Sequence, residues 1–166
     1  MVGMAHPPKS EGRDHVYIER SPLDHTHTRI TLNHTMPFKT YLVEDNAVIR
    51  ENLVSFLEDV ADAQVIAHAA TETEAVSWLG DHLDGWDIAI IDLFLAQGNG
   101  FGVVRACRNR KEHQKVVVLS NYATPDMRER SRALGADAFF DKSAEIDLLL
   151  AYCESLGNSP SAATSH

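Results

Sequence analysis

The feature that most constrains the fold is a regular alternation, from Phe38 onward, between short apolar runs and longer amphipathic stretches. This alternation predicts repeated βα units whose parallel strands form one sheet. Runs such as 88–91 and 116–119 are apolar at every position, which indicates that helices cover both faces of the sheet. We interpret the pattern as five units, with strands at 39–43, 64–68, 88–93, 116–120 and 138–140.

Two amphipathic segments indicate how helices would pack on this sheet. The first has apolar residues at helical spacing, which predicts one stripe against the sheet: Ile49, Leu53, Phe56, Leu57 and Val60. The last predicted helix has a similar stripe: Ile146, Leu149, Leu150 and Cys153. Before the fifth strand, Gly135 is placed to end a helix in the left-handed conformation.

Composition limits the classes of protein to which the chain can belong. Its formal net charge of -9 argues against a general nucleic-acid-binding surface, which needs clustered Lys and Arg. No apolar run approaches the roughly 18 residues that span a bilayer, and no signal-peptide pattern begins the chain. Cys107 and Cys153 lack CxxC spacing, which predicts buried thiols. A cytoplasmic location without membrane contact is therefore expected.

The two ends of the chain lack the pattern of the middle. Residues 1–36 hold five of the nine histidines and no sustained periodicity, so we predict a disordered or vector-derived tail. The domain is predicted at 37–156, followed by a flexible C-terminal tail at 157–166 with no room for an output domain. No metal site is expected at His25, His27 and His34, because Cys or carboxylate partners at ligand spacing are missing.

A local basic group lies on the predicted fourth helix. It consists of Arg128, Arg130 and Arg132, and Glu129 interrupts it. The group is either a solvated helix face or a surface that docks a partner protein, and the sequence leaves both interpretations open.

Polar residues follow four of the predicted strands at the point where each strand ends. Glu44 and Asp45 end the first strand and Asp92 ends the third. Ser120 ends the fourth strand, and Lys142 follows the fifth. Ligands of open parallel sheets bind at this carboxyl edge, so we expect these side chains to meet there.

The three carboxylates predict a metal site. At one strand edge they would repel one another unless a cation lay between them, and Mg2+ prefers oxygen ligands while retaining several waters. Asp45 and Asp92 are the expected direct ligands, and Glu44 is expected to bind through a water. Considered alone, the acidic pair would instead suggest a helix N-cap, with Asp45 or Asn46 accepting backbone N–H groups.

The same constellation predicts a phosphoryl acceptor. A carboxylate such as Asp92 can act as the nucleophile once the charge on the incoming group is neutralised. Mg2+ would supply one positive centre and the Lys142 ammonium a second, while the Ser120 hydroxyl would donate to another phosphoryl oxygen. We therefore predict catalytic roles for Asp92, Lys142 and Ser120.

Four segments of the chain resemble response-regulator receiver domains: YLVEDNAVIRENL, IAIIDLFLAQGNGFGVV, VVVLSNYA and ALGADAFFDKS. The resemblance covers about residues 38–156. It implies an α/β, flavodoxin-like, doubly wound sheet with strand order 2-1-3-4-5 and helices on both faces. It also implies phosphorylation of Asp92, a switch formed by Ser120 and Phe139, and completion of the metal site by the Phe94 backbone carbonyl.

The function that the resemblance implies is a phosphorylation-dependent signalling switch rather than a turnover enzyme. Its partners would be a sensor histidine kinase or phosphotransfer protein and a downstream protein target, without direct DNA binding. A homodimer through the fourth helix, fifth strand and fifth helix is compatible with the family. Phe94 and Tyr122 lie two residues after Asp92 and Ser120, and in this fold they would overhang the phosphoryl group and control dephosphorylation.

Two positions depart from the family pattern. Ser143 follows Lys142 where the family often has proline, so that peptide bond need not be cis. Asn121 stands directly after the switch hydroxyl, where many members have a small residue, and Tyr122 follows it.

Two other functions remain open. A haloacid-dehalogenase-like phosphatase also uses Mg2+ and an aspartate nucleophile, but its second aspartate would fall at Phe94. A receiver-like module could bind partners without phosphorylation, although every reactive position is filled. Phe139 also has a structural interpretation as core, since we expect only one of Phe139 and Phe140 to face inward.

Overall fold

The computed structural model describes residues 36–157, in which five strands and five helices alternate along the chain. The strands are β1 (Phe38–Val43), β2 (Ala63–Ala69), β3 (Ile88–Ile91), β4 (Lys115–Ser120) and β5 (Ala138–Asp141). The helices are α1 (Ala47–Val60), α2 (Glu72–Asp81), α3 (Gly100–Ala106), α4 (Pro125–Ala133) and α5 (Ile146–Gly157). The two predicted tails lie outside the described residues, except for Met36 and Gly157.

All strand pairs are parallel, and the strand order is β2-β1-β3-β4-β5. The predicted doubly wound, flavodoxin-like sheet is therefore confirmed. All four residues of β3 are buried, as expected for a central strand that helices cover on both faces. Within residues 36–157, no helix is both long enough and apolar enough to cross a bilayer.

Alternate residues of the strands point into two separate core layers. Tyr41 and Val43 of β1 lie in the layer that α2 and α3 cover, whereas Leu42 lies in the layer that α1 and α5 cover. Each layer contains one cysteine, and burial raises the pKa of the Cys107 and Cys153 thiols to about 12. The prediction of buried thiols is confirmed.

The predicted core stripe of α1 is wrong at two positions. Leu53 and Leu57 are buried, but Phe56 and Val60 are 36% and 48% exposed. The helix packs on the sheet through Leu53 and Leu57. Ala61, just beyond the end of the helix, packs in the core in place of Val60. In α5, by contrast, Leu149, Leu150 and Cys153 are buried as expected, and Ile146 packs beside them.

Two local predictions near strand and helix ends have different outcomes. The third strand ends at Ile91, two residues earlier than predicted, because the chain turns at Asp92 and brings the Phe94 N–H back to the Asp92 side chain. After α4, Gly135 has φ of 107°, so the predicted left-handed residue before β5 is confirmed.

Candidate phosphorylation site

Three carboxylates meet at the carboxyl edge of the sheet. Glu44 and Asp45 follow β1, and Asp92 follows the adjacent β3. One oxygen from each carboxylate lies within 4.8 Å of the other two. Glu44 and Asp92 are only 1% and 6% exposed, so the cluster is largely removed from bulk water.

The start of α1 leaves the acidic pair available for this cluster. Asn46 is the N-cap, and its Oδ1 accepts hydrogen bonds from the N–H groups of Val48 and Ile49 at 3.0 and 3.1 Å. The capping function that the sequence left open between Asp45 and Asn46 therefore belongs to Asn46. Asp45 instead accepts a 2.8 Å hydrogen bond from the Ala96 N–H, which ties it to the loop after β3.

Lys142 joins the cluster from the end of β5. Its Nζ donates to Glu44 Oε2 and, at 3.0 Å, to Asp92 Oδ2, and its side chain is only 8% exposed. Its backbone N–H donates to the Ser120 carbonyl at 3.0 Å, which fixes the loop after β5 beside β4. Burial lowers the pKa of Lys142, but the hydrogen bonds from its ammonium to Glu44 and Asp92 outweigh burial and raise the pKa overall. Lys142 is therefore an ammonium at neutral pH.

The electrostatics of the cluster favour an added cation. Burial raises the pKa of Glu44, and the ammonium of Lys142 acts in the opposite direction. One ammonium among three close carboxylates leaves excess negative charge. The available donors are carboxylate oxygens, which are the ligand type that Mg2+ prefers, so the residues fit that ion.

Phe94 lies beside the same carboxylates. Its N–H donates to Asp92 Oδ1 at 3.1 Å, so the Phe94 peptide lies next to the predicted metal site. Its side chain projects outward and is 46% exposed. The Phe94 ring contacts Tyr122, which is 59% exposed, with ring centroids 4.6 Å apart and planes inclined by 54°. The structure thus pairs the two aromatic residues that the sequence placed above the site.

Ser120 and Phe139 occupy adjacent strands. Ser120 is fully buried at the end of β4, and its Oγ accepts a 3.2 Å hydrogen bond from the Tyr122 N–H. Phe139 pairs in register with Val118, two residues before Ser120. Phe139 and Phe140 are both half-buried and pack against opposite core layers, so the expectation that only one would face inward is wrong. An edge strand can bury alternate side chains on both faces of the sheet.

Gly100 supports the Asp92 turn, and sequence reasoning overlooked it. Its N–H donates to the Leu93 carbonyl at 2.9 Å, and a Cβ at this position would collide with the Asp92 carbonyl oxygen. Only glycine allows α3 to begin this close to the loop that follows β3. The signal was present in the glycine-rich segment QGNGFG, but the sequence does not show which glycine makes the close contact.

Glu72, at the start of α2, holds the other side of the same loop. Its Oε2 accepts a 2.8 Å hydrogen bond from the Asn99 N–H, and its own N–H donates to the Gln97 carbonyl at 3.2 Å. Gly98 and Gly102 lie so close that an added Cβ at either would collide with the Glu72 side chain. This long-range contact has no local sequence signal.

The basic group on α4 is not one solvated face. The Arg130 guanidinium carbon lies 4.2 Å from the centre of the Phe101 ring on α3. Arg128 donates hydrogen bonds to Phe139 and Glu145. Arg132 differs from the other two, because its exposed side chain has no hydrogen bond, ion pair or ring contact to another residue between 36 and 157.

Comparison with known proteins agrees with this geometry. The family model of the response regulator receiver domain matches residues 41–154. The chain belongs to this family. It is 32% identical over 122 residues to response regulator Rre1 of Synechocystis, and the aligned region covers 72% of the chain and 52% of Rre1. It is 33% identical over 120 residues to the virulence transcriptional regulatory protein PhoP of Salmonella typhimurium, covering 71% and 51% respectively.

Solved receiver domains share the fold. The response regulator domain of Thermotoga maritima CheB aligns with a TM-score of 0.63 at 19% identity, covering 74% of the chain and 97% of that domain. The chain spans about half the length of the curated relatives it matches.

Proposed function

We propose that this receiver domain is a switch operated by phosphorylation of Asp92. The observation that carries the proposal is the buried Asp92 carboxylate, which lies beside two further carboxylates and accepts a hydrogen bond from the Lys142 ammonium. Receiver domains are in general signalling modules rather than turnover enzymes, and we propose the same for this chain. The proposed partners are a cytoplasmic sensor histidine kinase or phosphotransfer protein and a downstream protein target.

The proposed reaction transfers a phosphoryl group from phosphohistidine. A carboxylate oxygen of Asp92 forms a bond to phosphorus while the P–N bond breaks, and the imidazole leaves with the electron pair and takes up a proton. Asp92 becomes an acyl phosphate. Lys142 and the Ser120 hydroxyl contact separate phosphoryl oxygens and keep the group in place.

Four groups of this chain would hold Mg2+. They are the carboxylates of Asp45 and Asp92, the Glu44 carboxylate through a water, and the backbone carbonyl of Phe94. When bound, the ion supplies positive charge that neutralises the phosphoryl oxygens. Lys142 already contacts Glu44 and Asp92. Its ammonium would therefore lie beside the bound ion as a second positive group.

Acetyl phosphate tests the proposal directly. With Mg2+ present, we expect the wild-type protein to gain one phosphoryl group on Asp92, detected by intact mass and located by peptide mapping. Chelating the metal with EDTA should prevent the reaction, because the carboxylate cluster would then repel the anionic donor. Labelling at another residue, or equal labelling in EDTA, would contradict the proposed chemistry.

Output is proposed to pass through the face formed by α4, β5 and α5. A phosphoryl oxygen would draw the Ser120 hydroxyl toward Asp92, and Phe139 on the neighbouring strand would turn into the vacated space. We expect beryllofluoride with Mg2+ to shift amide resonances along α4, β5 and α5. The control is the Asp92→Asn protein with the same reagents. Shifts confined to the residues around Asp92 would contradict this output surface.

A further inference from the structure

The segment that follows β5 carries Lys142 and is ordered by its own hydrogen bonds. Asp141 Oδ1 accepts hydrogen bonds from the Ser143 N–H at 2.8 Å and from the Ser143 hydroxyl at 2.6 Å. The Glu145 N–H donates to the Asp141 carbonyl at 2.9 Å. Ser143 lacks the fixed φ of a proline, and these hydrogen bonds restrict the backbone of the segment instead.

Glu145 connects this segment to α4. Its Oε2 accepts hydrogen bonds from the Asp141 N–H at 2.8 Å and from Arg128 Nη2 at 2.9 Å. The hydrogen bond from Arg128, followed by that from Asp141, lowers the pKa of Glu145, so its carboxylate is ionised at neutral pH. One carboxylate oxygen thus holds both the backbone just before Lys142 and a cation of α4.

Arg128 extends the connection to the strand that leads into Lys142. Its Nη1 donates to the Phe139 carbonyl at 3.2 Å, and its guanidinium carbon lies 5.0 Å from the centre of the Phe139 ring. The Arg128 and Glu145 side chains are partly buried. Solvent and salt therefore screen this ion pair less than they would screen a fully exposed one. Arg128 therefore contacts β5 on one side of Lys142 and, through Glu145, the segment on its other side.

We infer that the Arg128–Glu145 pair positions Lys142 for phosphoryl transfer, an inference that rests on the proposed function of Asp92. The pair restrains the backbone on both sides of Lys142, so that Nζ stays within reach of Glu44 and Asp92. Neither Arg128 nor Glu145 has a side-chain hydrogen bond to Asp92 or to Lys142 Nζ, so each acts through the backbone that positions Lys142. The same contacts link this position to α4 and to the Phe139 ring.

The first test compares Arg128→Ala and Glu145→Ala with the wild type, using saturating acetyl phosphate. Each variant should lower the maximal phosphorylation rate about fivefold, equivalent to about 1 kcal/mol on the barrier, because Lys142 is held less often in the reactive position. The dissociation constant for Mg2+, measured by calorimetry, should change less than twofold, since its ligands are untouched. Arg128→Lys and Glu145→Gln, which retain a donor and an acceptor, should restore most of the rate.

Arg132→Ala is the matched control, because it removes the same charge from the same helix without breaking a hydrogen bond among the described residues. The Arg128→Ala/Glu145→Ala double variant should be no slower than the slower single variant, as expected for residues that act as one pair. Additive losses, a loss equal to that of Arg132→Ala, or parallel weakening of Mg2+ binding would overturn the positioning assignment.

Backbone relaxation measured by NMR separates this inference from the proposed function. The amides of Asp141, Ser143 and Glu145 should gain picosecond-to-nanosecond motion in Arg128→Ala and Glu145→Ala but not in Arg132→Ala. Unchanged motion in the first two variants would overturn the inference even if the wild type takes up phosphate. If the wild type takes up none while this segment loosens, the proposed function fails and the restraint of the Lys142 segment stands.

Discussion

Replacing Asp92 by Asn is expected to abolish phosphoryl uptake from acetyl phosphate in the presence of Mg2+. The neutral amide preserves the size of the side chain and can still accept the Phe94 N–H, but it lacks a carboxylate oxygen that can attack phosphorus. Intact-mass analysis after a fixed exposure to the donor measures the effect.

The control for this experiment is Asp81→Asn, which removes one exposed carboxylate at the end of α2. It should be labelled at the wild-type rate, showing that the loss in Asp92→Asn does not come from the change in net charge. Amide spectra of both variants would establish that the sheet is intact. Undiminished labelling of Asp92→Asn would contradict the assignment of the acceptor residue.

The meeting of the strand-end side chains was predictable because parallel topology brings strand ends together. Glu44, Asp92 and Lys142 are far apart in sequence, but each follows an apolar strand, and the strands are ordered so that their carboxyl ends share one edge. Sequence patterns therefore located the cluster without any knowledge of side-chain conformation. They did not reveal that Lys142 contacts two of the three carboxylates, which depends on the path of the chain after β5.

What the sequence did not reveal depends on close packing between distant segments. Gly100 is required because a Cβ there would collide with the Asp92 carbonyl oxygen, and the Glu72 carboxylate accepts a hydrogen bond from the backbone of the loop after β3. Neither contact has a period or a local spacing. The predicted orientation of α1 was wrong at Phe56 for a related reason. A helix whose apolar residues form a broad face can pack on the sheet through either side of that face.

The departure at Ser143 illustrates the same limit. The sequence showed that proline was missing after Lys142, but the hydrogen bonds of Asp141, Glu145 and Arg128 involve α4 as well as the local segment. Arg128 appeared in the sequence only as one of three similar cations on a helix. What distinguishes Arg128 from the other two cations is its contacts with Phe139 and Glu145, which only the structure shows.

The second large effect concerns the lifetime of the phosphorylated protein, which we expect to be long. Hydrolysis requires a water in line with the P–O bond that breaks. Phe94 follows the Asp92 turn and Tyr122 follows Ser120, and their rings contact each other with centroids 4.6 Å apart. The paired rings are expected to restrict the approach of this water. Neither ring carries a carboxylate or amide that could orient it.

Replacing Phe94 by Asn and Tyr122 by Glu would open this approach and add groups that can hold a water. We expect the double variant to lose phosphate at least about tenfold faster, equivalent to about 1.4 kcal/mol off the barrier. Phosphate release would be followed at fixed Mg2+ after removal of the donor.

The Tyr122→Phe variant tests the hydroxyl separately from the ring. Its phosphorylated form should lose phosphate within about twofold of the wild-type rate, since shielding depends on the ring. Phe56→Asn, which changes a surface aromatic on α1, is the control for loss of an exposed ring. An unchanged or slower decay in the double variant would refute shielding, and a large change in Tyr122→Phe would show instead that the hydroxyl orients the water.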